Sequence, residues 1–235
     1  MSKKVMSDLQ KRESVDLVII TIVTFIVLGF YIGFQSQFTR FANNQNIHII
    51  LRTTVMAFMQ FGVAGLGISI VSFFRRESFS SYRLQKKGAL KSILISILAC
   101  VPYLIFKFST GQIKSYLPFQ SVWMTREVLS AGFPSNLVGM LIISVAWGFF
   151  EGFNYAVISE KLNIRYPSSK KWLNWGAIVC GIMCLLIHGM IGVTPIDIIH
   201  AITVFIIIYG MLLAKDITRN AWGCVFIFVF LWNAL

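Results

Sequence analysis

Apolar residues in this chain fall in long unbroken runs rather than in alternation. Runs of about 20 residues suffice to cross a hydrocarbon core of ~30 Å as helices rising ~1.5 Å per residue. Seven runs are readable, at residues 17–34, 49–74, 89–106, 135–159, 172–191, 196–214 and 221–235. The short alternating segments of a transmembrane β-barrel do not occur. The pattern predicts an all-α fold: a polytopic transmembrane helix bundle of about seven spans. A polar tail over 1–16 precedes three spans and an interfacial segment over 17–132, and a second group of spans fills 133–235.

Composition agrees with a lipid bilayer as the surrounding medium. The chain is 57% hydrophobic and 13% charged, against roughly 25% charged in soluble domains. The first run follows a basic start, as in a signal peptide, but it is long and no small-residue cleavage site follows, so it reads as a retained helix. All four cysteines lie inside runs, which excludes an extracellular disulfide framework.

The net charge of +12 suggests nucleic acid until its distribution is considered. Sixteen of the 21 lysines and arginines fall in the tail and the loops after the second, fourth and sixth runs; four fall in the other loops, and Arg52 lies within a run. Such alternation is the signature of membrane topology, not of nucleic-acid binding, and it predicts a cytoplasmic N-terminus and a multi-pass protein of the cell membrane. The basic stretch from Arg75 to Lys91 reads first as a topology determinant and second as a lipid contact. Arg52 is expected to snorkel to the interface, and Pro102 to kink its span. Residues 107–132, rich in aromatics, read as an interfacial anchor, with a cover over the outer mouth of a site as the second reading.

Few ionisable groups remain inside the runs. Glu151 stands in Trp147-Gly148-Phe149-Phe150-Glu151-Gly152-Phe153-Asn154-Tyr155, where helical spacing puts Asn154 and Tyr155 one turn away on the same face. His188, Asp197 and His200 follow, and Asn233 is the other amide placed to matter. A Glu, a His and an Asn on separate helices offer donors for Zn²⁺, with Glu151 alternatively the base that activates water. The competing interpretation is structural: a buried carboxylate paired by a neighbouring helix, and a hydrogen-bonded histidine. Cys180, Cys184 and His188 share a face, yet three groups on one straight helix cannot close around an ion, so the cysteines read as small apolar filler. Asp197, just after Pro195, reads as a helix cap.

These residues resemble motifs of the CPBP family of intramembrane proteases, which includes CAAX prenyl endopeptidases and bacteriocin-processing or immunity proteins. Glu151 matches the first of the family's paired glutamates, with Gly152 in place of the second and Ala156 in place of the arginine. His188 matches the second motif, with Cys184 at its phenylalanine; Asn233 matches the last, with Val229 at its histidine. Tyr209-Gly210 and residues 78–88 resemble further parts of the family pattern. The resemblance implies a zinc-dependent endopeptidase ancestry, with Glu151 activating water, His188 binding metal and Asn233 orienting water or the oxyanion. Asn154, Tyr155 and His200 would be auxiliary. The substrate or partner would be a membrane-embedded, prenylated or bacteriocin-like peptide. The missing residues imply weakened or lost catalysis and a role in bacteriocin immunity or membrane-peptide processing. The alternative is a non-enzymatic membrane subunit or small transporter with a structural or proton-coupled polar network, although no internal repeat is evident.

Overall fold

The computed structural model describes residues 6–113, 115–170, 172–190 and 192–234. Among them there is no β-strand. Helix α1 covers Asp8–Gly33, α2 Gln35–Asn43, α3 Ile49–Arg75, α4 Ala89–Ser109, α5 Thr125–Ser130, α6 Ser135–Arg165, α7 Trp175–Ile187, α8 Pro195–Thr218 and α9 Trp222–Trp232. Five of these, α1, α3, α4, α6 and α8, are long and apolar enough to cross a membrane. The fifth and seventh expected spans are the shorter helices α7 and α9. At ~1.5 Å per residue each falls short of ~30 Å.

Local chemistry sets several ends. Ser7 and Gln10 close a capping box on α1, and Thr194 and Asp197 close one on α8, so Asp197 has the expected capping role. Large apolar side chains such as Phe25, Phe73, Leu98 and Phe108 face outward at 66%, 80%, 67% and 77% exposure, a surface that suits lipid rather than water. Small residues and cysteines, among them Ala156, Ala177, Cys180 and Cys224, fill the helix contacts. Helix α6 is central, packing on α1 and α3 to one side and on α7, α8 and α9 to the other.

The charged residues at one end of the bundle are not where hydropathy puts them. Helix α6 continues beyond 159 to Arg165, and α8 beyond 214 to Thr218, so Lys215 and Asp216 are helical rather than loop residues. Lys161 and Lys215 are buried, at 2% and 0% exposure. The Lys161 ammonium donates to Glu13 Oε2 and Asp16 Oδ2, each at 2.9 Å, while Arg75 donates to Asp16 Oδ1 at 2.7 Å. Lys215 Nζ donates to Glu160 Oε2 at 2.9 Å and to the Ala156 carbonyl at 3.2 Å. Arg83 joins Glu160 and Asp216 at 2.7 and 2.8 Å. Buried charge tolerates apolar surroundings only when paired and hydrogen-bonded, and every group here is.

Arg52 also departs from expectation. It does not snorkel to the interface: it is 2% exposed, pairs with Glu127 and donates to the carbonyls of Ala42 and Ile47 at 2.8 and 2.9 Å. Helix α4 passes through Pro102 without ending.

Lys161→Ala strips Glu13 and Asp16 of their shared cation and is expected to cost ~3–5 kcal/mol, as breaking a buried pair does. The measurement is the thermal unfolding midpoint of the full-length protein in detergent. Lys11→Ala, at the exposed Lys11–Asp8 pair, should leave that midpoint in place. Equal midpoints in both variants would show that the buried cluster does not hold the helices.

Candidate functional site

Three of the helices contain a π turn: Gly62–Leu66 in α3, Ser144–Phe150 in α6 and Phe228–Trp232 in α9. A π turn inserts one residue into the helical repeat and so re-aims the side chains on either side of it. The turn in α6 packs against both of the others, and Glu151 follows it directly. The result is a polar centre in the apolar interior, made from side chains of α3, α6 and the end of α7.

Glu151 is 7% exposed. Its Oε1 lies 3.5 Å from His188 Nε2, and its Oε2 accepts from Gln60 Nε2 at 3.1 Å. His188 caps the end of α7 and sets its ring edge-on to Trp232, with centroids 5.4 Å apart. Estimated from the expected spans, Glu151 and His188 lie at different depths, ~13 and ~24 Å from the basic end. The longer α6 removes the discrepancy: Glu151 sits ~21 Å from the Arg165 end of its helix and His188 ~20 Å from the Trp175 start of its own.

The other predicted residues are placed around this pair, not all in it. Tyr155 is buried and stacks on Phe228 with centroids 5.4 Å apart; Cys184 neighbours both Tyr155 and His188. Asn154 is half-buried on α6. Asn233 directly follows Trp232, and its Oδ1 accepts from Ser121 Oγ at 2.8 Å, while its Nδ2 is buried without a partner. His200 is not brought to Glu151. It stacks between Tyr103 and Phe106, with centroid distances of 5.9 and 5.3 Å, and Tyr103 in turn stacks on Trp232 at 6.4 Å. Two aromatic rings thus separate His200 from His188.

Residues 115–121 run across the end of α9. Tyr116 donates to the Phe230 carbonyl at 3.0 Å, and the backbone N–H groups of Leu117 and Ser121 donate to the Ala234 and Asn233 carbonyls at 3.1 and 3.0 Å. The segment thereby satisfies carbonyls that a helix end leaves open. It holds Asn233 in place, a tighter role than an interfacial anchor.

Among the described residues no group of three or more His, Cys, Asp or Glu is arranged to hold a metal ion. Glu151 and His188 supply two donors where a catalytic zinc takes three from the protein. Gln60 occupies the second carboxylate oxygen, and Ser121 occupies the Asn233 oxygen. The donor set does not fit the expected zinc. The four cysteines are buried and free, and Cys180 and Cys224 direct their sulfurs at the carbonyls of Tyr155 and Met211 at 3.7 and 3.6 Å, which matches filler.

Position 152 is closed to a second carboxylate. A Cβ built on Gly152 would lie 2.6 Å from the Cys224 carbonyl oxygen and 3.0 Å from Val225 Cα, so the backbone of α9 fills the space. Sequence reasoning missed Gln60, although it is the one carboxamide in the run 49–74.

An apolar groove of about 390 Å³ lies between α3 and α6, lined by Ala57, Phe58, Phe61, Val145 and Phe150 among others. Phe61 and Phe150 are the chain neighbours of Gln60 and Glu151, so the groove lies beside the polar centre.

Comparison with family models, with curated proteins and with solved structures finds no match.

Gly152→Ala is expected to push α9 away from α6 and to cost ~1–3 kcal/mol, the usual penalty of overpacking. Gly29→Ala, with nothing within 4 Å, should cost nothing by this mechanism. Thermal unfolding of the two variants in detergent checks the contrast, and an unshifted midpoint for Gly152→Ala would refute the close approach.

Proposed function

We propose that this chain is an intramembrane peptide hydrolase of the CPBP type, with Glu151 as its base. The carrying observation is the 3.5 Å contact between the buried Glu151 and the one-third-exposed His188, beside the π turns of α3, α6 and α9. The motif resemblance at Glu151, His188 and Asn233 and the adjoining apolar groove support it. In this proposal Glu151 accepts a proton from water as the water oxygen attacks the scissile carbonyl carbon. The unpartnered Asn233 Nδ2–H and the His188 ring N–H are the donors available to the resulting oxyanion. When the C–N bond breaks, Glu151 returns its proton to the leaving amine, so the cycle balances without another reagent. Gln60 fixes the carboxylate plane through its 3.1 Å bond. No step is assigned to a metal.

The substrate in this proposal is a membrane-embedded or lipid-modified peptide whose apolar part lies in the groove between α3 and α6. Membrane-peptide processing and immunity to a bacteriocin-like peptide are the roles that such chemistry serves. The bundle crosses the cell membrane seven times in this proposal, with α7 and α9 lying in the bundle as short spans. The end bearing Lys161 and Lys215 faces the cytoplasm, since positive loops stay inside.

A second function is favoured by one observation: both oxygens of Glu151 already have protein partners. A fully partnered carboxylate is what a purely structural network in a membrane subunit requires. The two functions part at Glu151→Gln. For a hydrolase, cleavage of a prenylated or an amphipathic bacteriocin-like peptide in proteoliposomes drops by ~10²–10⁴-fold, the usual weight of a general base. The unfolding midpoint changes little, because glutamine keeps the shape and an acceptor oxygen. His188→Ala should lower cleavage as well. If neither peptide is cleaved faster by the parent than by Glu151→Gln, the hydrolase is rejected and the structural network stands.

A further inference from the structure

Away from the polar centre, at the basic end of the bundle, a cleft of about 620 Å³ opens between α1, α6 and α7. Its size falls within the ~300–1,000 Å³ usual for ligand sites. Leu162, Val179, Pro167 and Trp175 make an apolar wall, with Tyr166 and Arg165 where α6 ends. Gln10 closes the third side, donating from Nε2 to the Arg165 carbonyl at 3.3 Å.

The guanidinium of Arg165 is held but not neutralised. Its Nε donates to Ser14 Oγ at 2.5 Å, and its carbon lies 4.5 Å from the centroid of the Tyr166 ring. Arg12, Arg75, Arg83, Lys161 and Lys215 at the same end each pair with a carboxylate. Among the described residues Arg165 has none, which leaves its charge available to a ligand in the cleft. Arg76, Lys86, Lys87, Lys91, Lys170 and Arg219 pair with no described carboxylate either, but none of them lines this cleft.

The surroundings identify the source of that charge. Tyr166 and Trp175 are 51% and 42% exposed, and Lys170 lies over Trp172, 5.5 Å from its ring centroid, in the next turn of chain. Aromatic rings and cations interleaved at the end of apolar helices are the chemistry of the headgroup region. An arginine at the mouth and an apolar wall beneath it match a phosphate joined to a hydrocarbon tail. A free anion would leave the wall empty, a lipid without a phosphate would leave the guanidinium unpaired, and a choline headgroup would bring its own cation to a mouth that already holds Arg165.

We infer that this cleft binds one anionic phospholipid, its phosphate on Arg165 and one acyl chain along Leu162, Trp175 and Val179. A lipid seated there would bridge α1, α6 and α7, and its position is independent of any chemistry at Glu151.

The test uses the full-length protein, delipidated in mild detergent and titrated with phosphatidylglycerol, phosphatidylcholine or glycerol 1-phosphate, with bound lipid counted by native mass spectrometry. The expected result is one retained phosphatidylglycerol, held about fivefold more tightly than phosphatidylcholine, the scale of one cation's effect at an anionic surface. Arg165→Gln should abolish that preference and Arg165→Lys should keep most of it. Val179→Trp, which fills the wall and leaves the cation untouched, should lower retention of both lipids. It decides the matter if Arg165→Gln does not fold. Equal retention of the two lipids by the parent, or unchanged retention in Val179→Trp, overturns the inference. Displacement of phosphatidylglycerol by glycerol 1-phosphate would also overturn it, because it would mark an anion site with no use for the acyl chain.

Discussion

Two buried lysines hold this bundle in register. Lys161 and Glu160 are neighbours on α6, about 100° apart around the helix, so each turns to a different side. Lys161 takes the carboxylates of Glu13 and Asp16 from α1, and Arg75 of α3 joins at Asp16. Glu160 takes Lys215 from α8 and Arg83 from the chain leading into α4. An ammonium in apolar surroundings is costly unless its partners are in place, so neither side can slide along α6 without stranding a charge. That constraint fixes α6 lengthwise, and with it the height of Glu151. Asn174, which caps α7 through Ala177 N–H, also donates to Asp216 Oδ2 at 2.5 Å, tying the start of α7 to the same cluster. The depth match between Glu151 and His188 follows from these ties at the far end of both helices.

This is also where the sequence is hardest to read. Hydropathy treats Lys161, Lys215 and Asp216 as exposed, and so ends two runs early, at 159 and 214. In the folded chain their charges are paired across helices, and pairing between distant residues leaves no mark on a local window. Arg52 is misplaced for the same reason, since Glu127 lies 75 positions away. The apolar runs themselves were legible because lipid-facing surface must be apolar whatever the packing. The paired acid and histidine were legible by type, as costly groups kept inside hydrocarbon. Gln60 was not, because one amide in an apolar run has no period or spacing to distinguish it. The π turns were equally silent, because a one-residue insertion changes no composition.

The site is best understood through what its neighbours prevent. A second carboxylate beside Glu151 would have to occupy the space that the backbone at Cys224 and Val225 already fills. Among the described residues no third metal donor joins Glu151 and His188, since Asn233 is bound by Ser121 and His200 is stacked away on Tyr103 and Phe106. What remains is one carboxylate, one imidazole and one amide, with a second, unpartnered amide nitrogen held close by in sequence to Trp232.

A polar pair of this kind could be held between regular helices, as the Lys161 and Lys215 clusters are. Those clusters are built on regular turns of α6 and α8, and the two ammonium groups and the carboxylates of Glu13, Asp16 and Glu160 all have partners, although the adjoining Arg12 Nε has none. The Glu151 centre differs in its backbone. Three helices depart from the α repeat around it, and Asn233, next in the chain to the Trp232 that packs on His188, has a buried Nδ2 without a partner. A buried unused donor costs ~1–3 kcal/mol, and Thr53, Ser96 and Ser159 carry that cost elsewhere in the bundle as well. A site that must receive a developing negative charge requires such a donor to be free beforehand. The contrast between the two kinds of polar cluster, within one bundle and under one solvent constraint, is what supports the proposed chemistry at Glu151 beside the architectural role of the lysines.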